Sequence, residues 1–140
     1  MKLQTATRIG LYAVLELAAK PNDKISGSDI AEKFAVSNNH LAKVMRRLVV
    51  AGLARAVRGV NGGYQFSGNP KRTTLMDVIQ LFELLEESPP SGAPRVSTEA
   101  EKALDTVLRE IDQTIQATFY SISISTMLNI MNRQKQAPTS

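Results

Sequence analysis

The side chains of this sequence that can do chemistry are amides, hydroxyls and cations, and they gather between residues 37 and 64. One group lies on a segment with helical spacing, and the other surrounds a glycine-rich turn. Amides and cations can bond to the donors and acceptors of base edges, and cations also pair with phosphates. The sequence therefore predicts DNA contacts from Ser37, Asn38, Asn39, His40, Lys43, Arg46, Arg47, Arg55, Arg58, Asn61 and Tyr64.

Charge is divided unevenly along the chain. Residues 1–72 contain twelve Lys or Arg and four Asp or Glu, a net charge of +8, whereas residues 73–140 carry −4. A cationic surface attracts phosphate by releasing counterions, without regard to base sequence. A basic surface that only keeps the protein in solution explains this charge about equally well, so charge alone does not assign a partner.

The same inventory disfavours several other kinds of chemistry. The chain has no cysteine and one histidine, His40, so we expect no metal site, no cofactor and no thiol redox switch. No pattern of nucleophile, base and oxyanion donors is present, so we expect no enzyme. The acidic residues Glu83, Glu86 and Glu87 are explained more simply as a solvated helix end than as acid–base groups, and His40 more simply as a structural residue than as a switch.

The predicted elements before residue 72 place these side chains. Apolar spacing predicts helices that begin near Thr5 and Ser26, which act as N-caps, and a third helix after Ser37 that ends at a left-handed Gly52. Alternation on both sides of residues 59–63 predicts a β-hairpin. This order is that of a winged helix-turn-helix domain, which we assign to residues 1–72.

The second half of the chain predicts a connecting helix over 73–87, a flexible loop over 88–98, and a long helix with a short terminal helix over 99–132, followed by a tail over 133–140. Ser125 or Thr126 is expected to cap the terminal helix. The long helix has an apolar stripe that needs a partner surface. Packing within the chain is one explanation, but we favour a symmetric dimer. The stripe consists of Leu104, Val107, Leu108, Ile111, Ile115, Phe119 and Ile122.

Several motifs also resemble a known family. They are Met1-Lys2-Leu3, Asp29-Ile30-Ala31-Glu32, Val36-Ser37 followed by Leu41, Ala51-Gly52-Leu53, Val57-Arg58-Gly59-Val60-Asn61-Gly62-Gly63-Tyr64 and Thr74-Leu75-Met76-Asp77-Val78-Ile79. Over nearly its whole length the chain resembles the Rrf-two type bacterial winged-helix regulators. The resemblance implies that Ser37, Asn39 and Lys43 approach bases or backbone and that Arg58 approaches the minor groove. Ala42 departs from relatives that carry a polar residue there, which implies a different operator.

The best-known sensors of the family that the chain resembles hold an iron–sulfur cluster with three cysteines in the loop before the long helix. This chain has no cysteine, and the side chains of residues 88–98 cannot replace thiolates, so cluster-based sensing is not carried over.

The sequence thus predicts a mainly α fold with a small β-hairpin, in which a winged helix-turn-helix domain is joined to a long C-terminal dimerisation helix. Its predicted function is a homodimeric, sequence-specific repressor that binds a palindromic operator in double-stranded DNA. The alternative is a winged-helix interaction or architectural module with weak, non-specific DNA binding. No stretch is apolar enough to span a bilayer and no signal peptide is evident, so we expect a cytoplasmic protein without membrane contact. An unidentified small-molecule effector remains open.

Overall fold

The computed structural model describes residues 3–83 and 97–136, and this part of the chain contains six helices and one two-stranded sheet. Its mainly helical architecture with a single hairpin confirms the predicted fold class. The predicted loop over 88–98 lies almost entirely outside the described residues. The elements are α1 (Thr5–Ala19), α2 (Gly27–Lys33), α3 (Asn38–Val50), β1 (Ala54–Val57), β2 (Gly63–Phe66), α4 (Leu75–Phe82), α5 (Glu99–Ser121) and α6 (Ile124–Gln136).

Serine side chains cap α2 and α3. The Ser26 hydroxyl oxygen accepts a hydrogen bond from the Asp29 amide at 3.1 Å, and the Ser37 oxygen accepts one from the His40 amide at 3.0 Å. Each bond satisfies an amide that has no partner within its own helix. The predicted cap of α1 is wrong, because Thr5 is already helical and the N-cap is Gln4, whose side chain makes no capping bond.

Gly52 ends α3 and directs the chain into the hairpin. Its φ of +81° is a left-handed conformation that glycine adopts without a steric cost, as the sequence predicts. The Leu53 amide donates to the Leu48 carbonyl and the Gly52 amide donates to the Val49 carbonyl, both at 3.0 Å. These two bonds form the Schellman motif and satisfy carbonyls at the helix end.

The hairpin is anchored to the segment before α2. β1 and β2 are antiparallel, with Arg55 opposite Gln65. The Tyr64 amide donates to the Ile25 carbonyl at 2.8 Å, and the Ile25 amide donates to the Tyr64 carbonyl at 2.9 Å. A β-carbon on Gly63 would lie only 2.5 Å from the Ile25 oxygen, so this close approach requires glycine. The wing is thereby held against the helical core.

One apolar core joins the helices of the first half to α4 and to the start of α6. Helices α1 and α3 each contribute their inward-facing residues, as their apolar spacing predicts. Its buried members are Ile9, Ala13, Val14, Leu17, Ala18, Ile30, Ala31, Leu41, Val44, Met45, Leu48, Ala54, Phe66, Leu75, Met76, Val78, Ile79, Phe82 and Ile124.

The C-terminal elements begin as predicted in some places and differ in others. Thr74 and Thr98 each form a capping box, with Asp77 and Glu101 respectively. The connecting helix predicted over 73–87 is shorter in the structure, because α4 ends at Phe82 and Glu83 is already extended; residues 84–87 lie outside the described residues.

The cap and the end of α6 also differ from the prediction. The hydroxyl of Ser123, rather than Ser125 or Thr126, accepts the Thr126 amide at 3.1 Å. Helix α6 continues past residue 132, its predicted end, to Gln136, so the first residues of the predicted tail are helical.

Three backbone bonds attach the C-terminal helices to residues 70–75, and one of them runs from the Ser125 amide to the Pro70 carbonyl at 2.8 Å. The Ile124 amide donates to the Thr73 carbonyl at 2.8 Å, and the Leu75 amide donates to the Ile122 carbonyl at 2.9 Å. Ile124 is fully buried by this docking, whereas α5 has no buried residue along its 23 positions. Helix α5 therefore extends away from the core, and its apolar face is partly exposed.

Candidate nucleic-acid interface

Helix α3 presents a polar face opposite its buried face. Asn39, Lys43 and Arg46 are exposed and follow one another at intervals of four and three residues, which places them on one side of the helix. The buried residues of α3 lie on the other side and fix its rotation against the core: Leu41, Val44, Met45 and Leu48. An α-helix fits the major groove of B-DNA, and amides and cations on such a face can meet base edges and phosphates.

The first turn of α3 provides two further polar residues. Ser37 and Asn38 are exposed. The Ser37 oxygen already accepts the His40 amide, but a hydroxyl keeps its own donor for a second partner. The free amides of a helix N-terminus also attract phosphate.

His40 lies at the edge of the polar face of α3, beside Lys43. It is half-buried and lines a cleft that also includes Gln4, Lys43, Arg47 and Phe82. The structure therefore directs His40 toward α1 and the end of α4.

Arg47 has a partner within the chain. Its Nη1 donates a 2.6 Å hydrogen bond to the carbonyl oxygen of Leu81, in the last turn of α4. That carbonyl has no partner within its own helix, so the bond ties α3 to the end of α4. The sequence contained no signal for this contact, since the two residues are 34 positions apart.

The wing contains two groups of polar residues with different surroundings. Arg58 and Asn61 lie at the exposed tip of the hairpin. Arg55 instead donates to the Gln65 side-chain oxygen at 2.8 Å, and the Gln65 amide donates to the Pro21 carbonyl at 2.9 Å. Arg55 is thereby held on the body of the hairpin, while the tip is free of such bonds within the described chain.

Tyr64 brings the wing and α3 together. It is half-buried and lines one cleft with Gly27, Ser28, Asn38 and Ala42. The cleft places β2 next to the first turns of α2 and α3. The predicted DNA contacts of α3 and of the wing therefore belong to adjacent surfaces.

The apolar stripe of α5 is a separate site, and the structure divides it. Its first four residues, Leu104, Val107, Leu108 and Ile111, keep between 48% and 58% of their surface exposed. Ile115 is half-buried, and Phe119 and Ile122 pack against the core of their own chain.

The electrostatics of the interface are dominated by cations without acidic partners. In residues 3–83 and 97–136 the one ion pair joins Lys33 to Glu16 at 2.7 Å, away from α3 and the wing. Lys43, Arg46 and Arg58 make no ion pair with any residue of that part of the chain. These cations are therefore available to an external anion.

Comparison with known proteins assigns the family. The family model Rrf2, described as an iron-dependent transcriptional regulator, matches residues 3–130. The chain belongs to the Rrf2 family. A protein of Rhodopseudomonas palustris named as the HTH-type transcriptional regulator BadM is 48% identical over 140 residues, which cover 97% of this chain and 86% of that protein.

Solved structures of similar proteins share the fold. The structure named T. potens IscR has a TM-score of 0.80 at 24% identity and covers 99% of this chain and 94% of its own. CymR, the global cysteine regulator of B. subtilis, has a TM-score of 0.73 at 27% identity, and the match covers 93% of this chain and 98% of the CymR chain. This Rrf2 member is a winged-helix, DNA-binding transcription regulator, and its described residues contain no helix able to cross a membrane.

The iron in the description of the Rrf2 family does not fit the donors of this chain. Iron–sulfur clusters are held by thiolates, and the sequence has no cysteine. The only histidine, His40, lies in a cleft beside two cations, Lys43 and Arg47, which would repel a metal ion. The described ranges also contain no group of three His, Asp or Glu side chains arranged to hold a metal. The described residues of this chain therefore offer iron no set of ligands.

Proposed function

We propose that this Rrf2 protein is a homodimeric, sequence-specific repressor that acts in the bacterial cytoplasm on a palindromic operator, without an iron–sulfur cluster and without catalytic activity. The observation that carries the proposal is the exposed face of α3, on which Asn39, Lys43 and Arg46 are aligned beside the wing. An aligned set of amide and cation side chains can select bases, whereas a diffuse basic surface attracts only phosphate.

Each part of the interface has its own role in the proposal. Asn39, Lys43 and Arg46 enter the major groove, and the first turn of α3 bonds to the adjacent backbone. Arg58 and Asn61 at the wing tip reach phosphates or the minor groove. Arg47, Arg55, His40 and Tyr64 belong to the predicted DNA contacts as well, but their bonds and burial support a role in holding α3 and the wing in place.

The exposed apolar face of α5 supports the dimer. Leu104, Val107, Leu108 and Ile111 form two turns of apolar surface, and each of them keeps about half of its surface exposed. A two-fold axis across this face would make one surface serve both subunits. It would also set the two α3 helices at a fixed spacing, with half-sites about 10 base pairs apart or at a multiple of that distance.

Selection of bound sequences from random duplex DNA tests the proposal. We expect the selected sequences to contain an inverted repeat. Replacing Lys43 with alanine should alter the preferred base at one position of each half-site if Lys43 contacts a base, whereas removal of a phosphate contact would weaken binding to all sequences equally. Arg109→Ala, on the exposed surface of α5, is the matched control and should bind as the wild type does.

Two results would contradict the proposal. Equal affinity for all duplexes would support a weak, non-specific architectural role instead. For repression, transcription from a promoter that contains the selected operator should fall when the protein is added, and a rise would show an activator.

A further inference from the structure

A groove of about 590 Å³ lies between the C-terminal half of α3 and the end of α4. Its volume is within the range of sites that bind small molecules. Neither the description of the Rrf2 family nor the names of the relatives reported above mention a ligand for this groove. Its lining residues are Lys43, Arg46, Arg47, Val50, Ala51 and Leu81.

Charge and apolar surface are separated along this groove. Lys43 lies toward the middle of α3 and Arg46 one turn further on, whereas Val50 and Ala51 lie at its C-terminal end, and Arg47 in the last turn reaches across to the Leu81 carbonyl of α4. Residues 43 and 50 are about 10 Å apart along the helix, from a rise of 1.5 Å per residue. Val50 is 83% exposed, so the apolar end of the groove has an uncovered wall.

The cationic end has unused hydrogen-bond donors. The bond from Arg47 to the Leu81 carbonyl holds the guanidinium at the groove and uses one of its five N–H donors. Lys43 and Arg46 have no acidic partner in residues 3–83 or 97–136. The C-terminal end of α3 carries a partial negative charge, which repels an anion from the Val50 end. A bound anion should therefore point its charged group at the cations and its apolar part at Val50.

We propose that this groove binds a small organic anion, with a carboxylate or phosphate head against Lys43, Arg46 and Arg47 and an apolar body against Val50, Ala51 and Leu81. Lys43 and Arg46 also lie on the face of α3 that contacts DNA in the proposed function. The ligand and the operator therefore compete for the same cations, and this second statement rests on the proposed function.

The site is tested first without DNA. Octanoate and octyl phosphate are titrated into the isotope-labelled 140-residue chain, and the backbone amide resonances are followed by NMR. We expect saturable shifts at residues 43–51 and at Leu81, and none with 1-octanol, which lacks the charge. The tighter of the two anions identifies the head group.

Val50→Glu puts a carboxylate at the apolar end and should raise the dissociation constant at least tenfold. Val60→Glu is the matched control, because Val60 is also an exposed valine but lies at the wing tip, and it should leave the constant unchanged. The absence of saturable shifts, or shifts centred on α5, would overturn the proposed site. A shift of the dimer to monomers by Val50→Glu would also overturn it, because the groove would then be a subunit contact.

Competition is tested on a duplex that the protein has first been shown to bind. Octanoate should release this DNA from the wild type at concentrations that fill the groove, and Val50→Glu should require at least tenfold more. Saturation of the groove with no loss of DNA binding would overturn the competition. Failure to bind any duplex before octanoate is added would instead contradict the proposed function, so the two failures are distinguishable.

Discussion

Replacing Leu108 with glutamate is expected to convert the proposed dimer into monomers that remain folded. Leu108 is 49% exposed, and α5 contributes no buried residue to the core of its own chain. The fold of one subunit therefore has little need of this side chain. Its remaining exposed half lies on the face that we assign to the second subunit, beside Leu104 and Ile111.

The size of the effect follows from the exposed surface and the two-fold symmetry. Complete burial of a leucine side chain stabilises by about 2 kcal/mol, so burial of the exposed half contributes about 1 kcal/mol in each subunit. A carboxylate buried without a partner costs roughly 1–3 kcal/mol more. The substitution occurs twice in the dimer, so association should weaken by about 4–8 kcal/mol, which is about a thousandfold or more in the dissociation constant.

Sedimentation equilibrium measures the dissociation constant, and thermal melting of the isolated chains checks the fold. Gln113→Glu is the control, because it adds the same carboxylate to the opposite, exposed side of α5 and should leave the dimer intact. Loss of the dimer should also weaken binding to the whole palindrome far more than to a single half-site. If Leu108→Glu and Gln113→Glu had the same dissociation constant as the wild type, the reasoning about α5 would be refuted.

Three further substitutions test other contacts. A β-carbon on Gly10 would collide with the ring of buried Phe82, so Gly10→Ala should destabilise the fold by about 1–2 kcal/mol in urea unfolding. Gly52→Ala should cost about 1 kcal/mol in the same assay, because the left-handed conformation disfavours a β-carbon. The slope of log affinity for DNA against log salt concentration measures the number of neutralised phosphates. Arg46→Ala should make this slope shallower by about 0.9 for each phosphate that Arg46 neutralises. Arg47→Ala should lower the affinity and leave the slope unchanged.

Each of these substitutions has its own control. Phe82→Leu should recover part of the stability that Gly10→Ala removes, and additive effects would show that the two side chains do not collide. Open space surrounds the β-carbon position of Gly52, so a destabilisation far above 1 kcal/mol would contradict a purely backbone cause. Equal changes of salt dependence for Arg46→Ala and Arg47→Ala would show that Arg47 contacts phosphate and does not position α3.

The parts of the fold that were predicted correctly depend on local signals. The position of Gly52, the hairpin around residues 59–63 and the buried face of α3 follow from backbone preference and from the spacing of apolar residues within a few turns. The failed prediction of the α6 cap depends on a tertiary contact. Ser123 is a cap because its backbone pairs with Thr74, far away in the sequence, and no local pattern contains that information.

The apolar stripe of α5 is a second case in which local spacing alone was insufficient. Leu104 and Phe119 have similar helical phase, so periodicity assigns both to one surface. In the structure, docking of α6 against residues 70–75 brings Phe119 and Ile122 to the core of their own chain and leaves the first turns of α5 uncovered. Periodicity identifies an apolar face, but only the tertiary fold shows which part of that face still requires a partner.

The cations of the first half fall into two groups, those that bond within the chain and those that do not. Of the cations on α3 and the wing, Arg47 and Arg55 already donate to acceptors in their own chain, and those bonds hold them in one direction. Lys43, Arg46 and Arg58 have no such partner among residues 3–83 and 97–136. A net charge of +8 therefore overstates the number of DNA contacts, because some cations shape the interface that the others use. In a dimer the three unpaired cations are present twice, and each of the six that neutralises a phosphate, rather than contacting a base edge, adds about −0.9 to the slope of log affinity against log salt concentration.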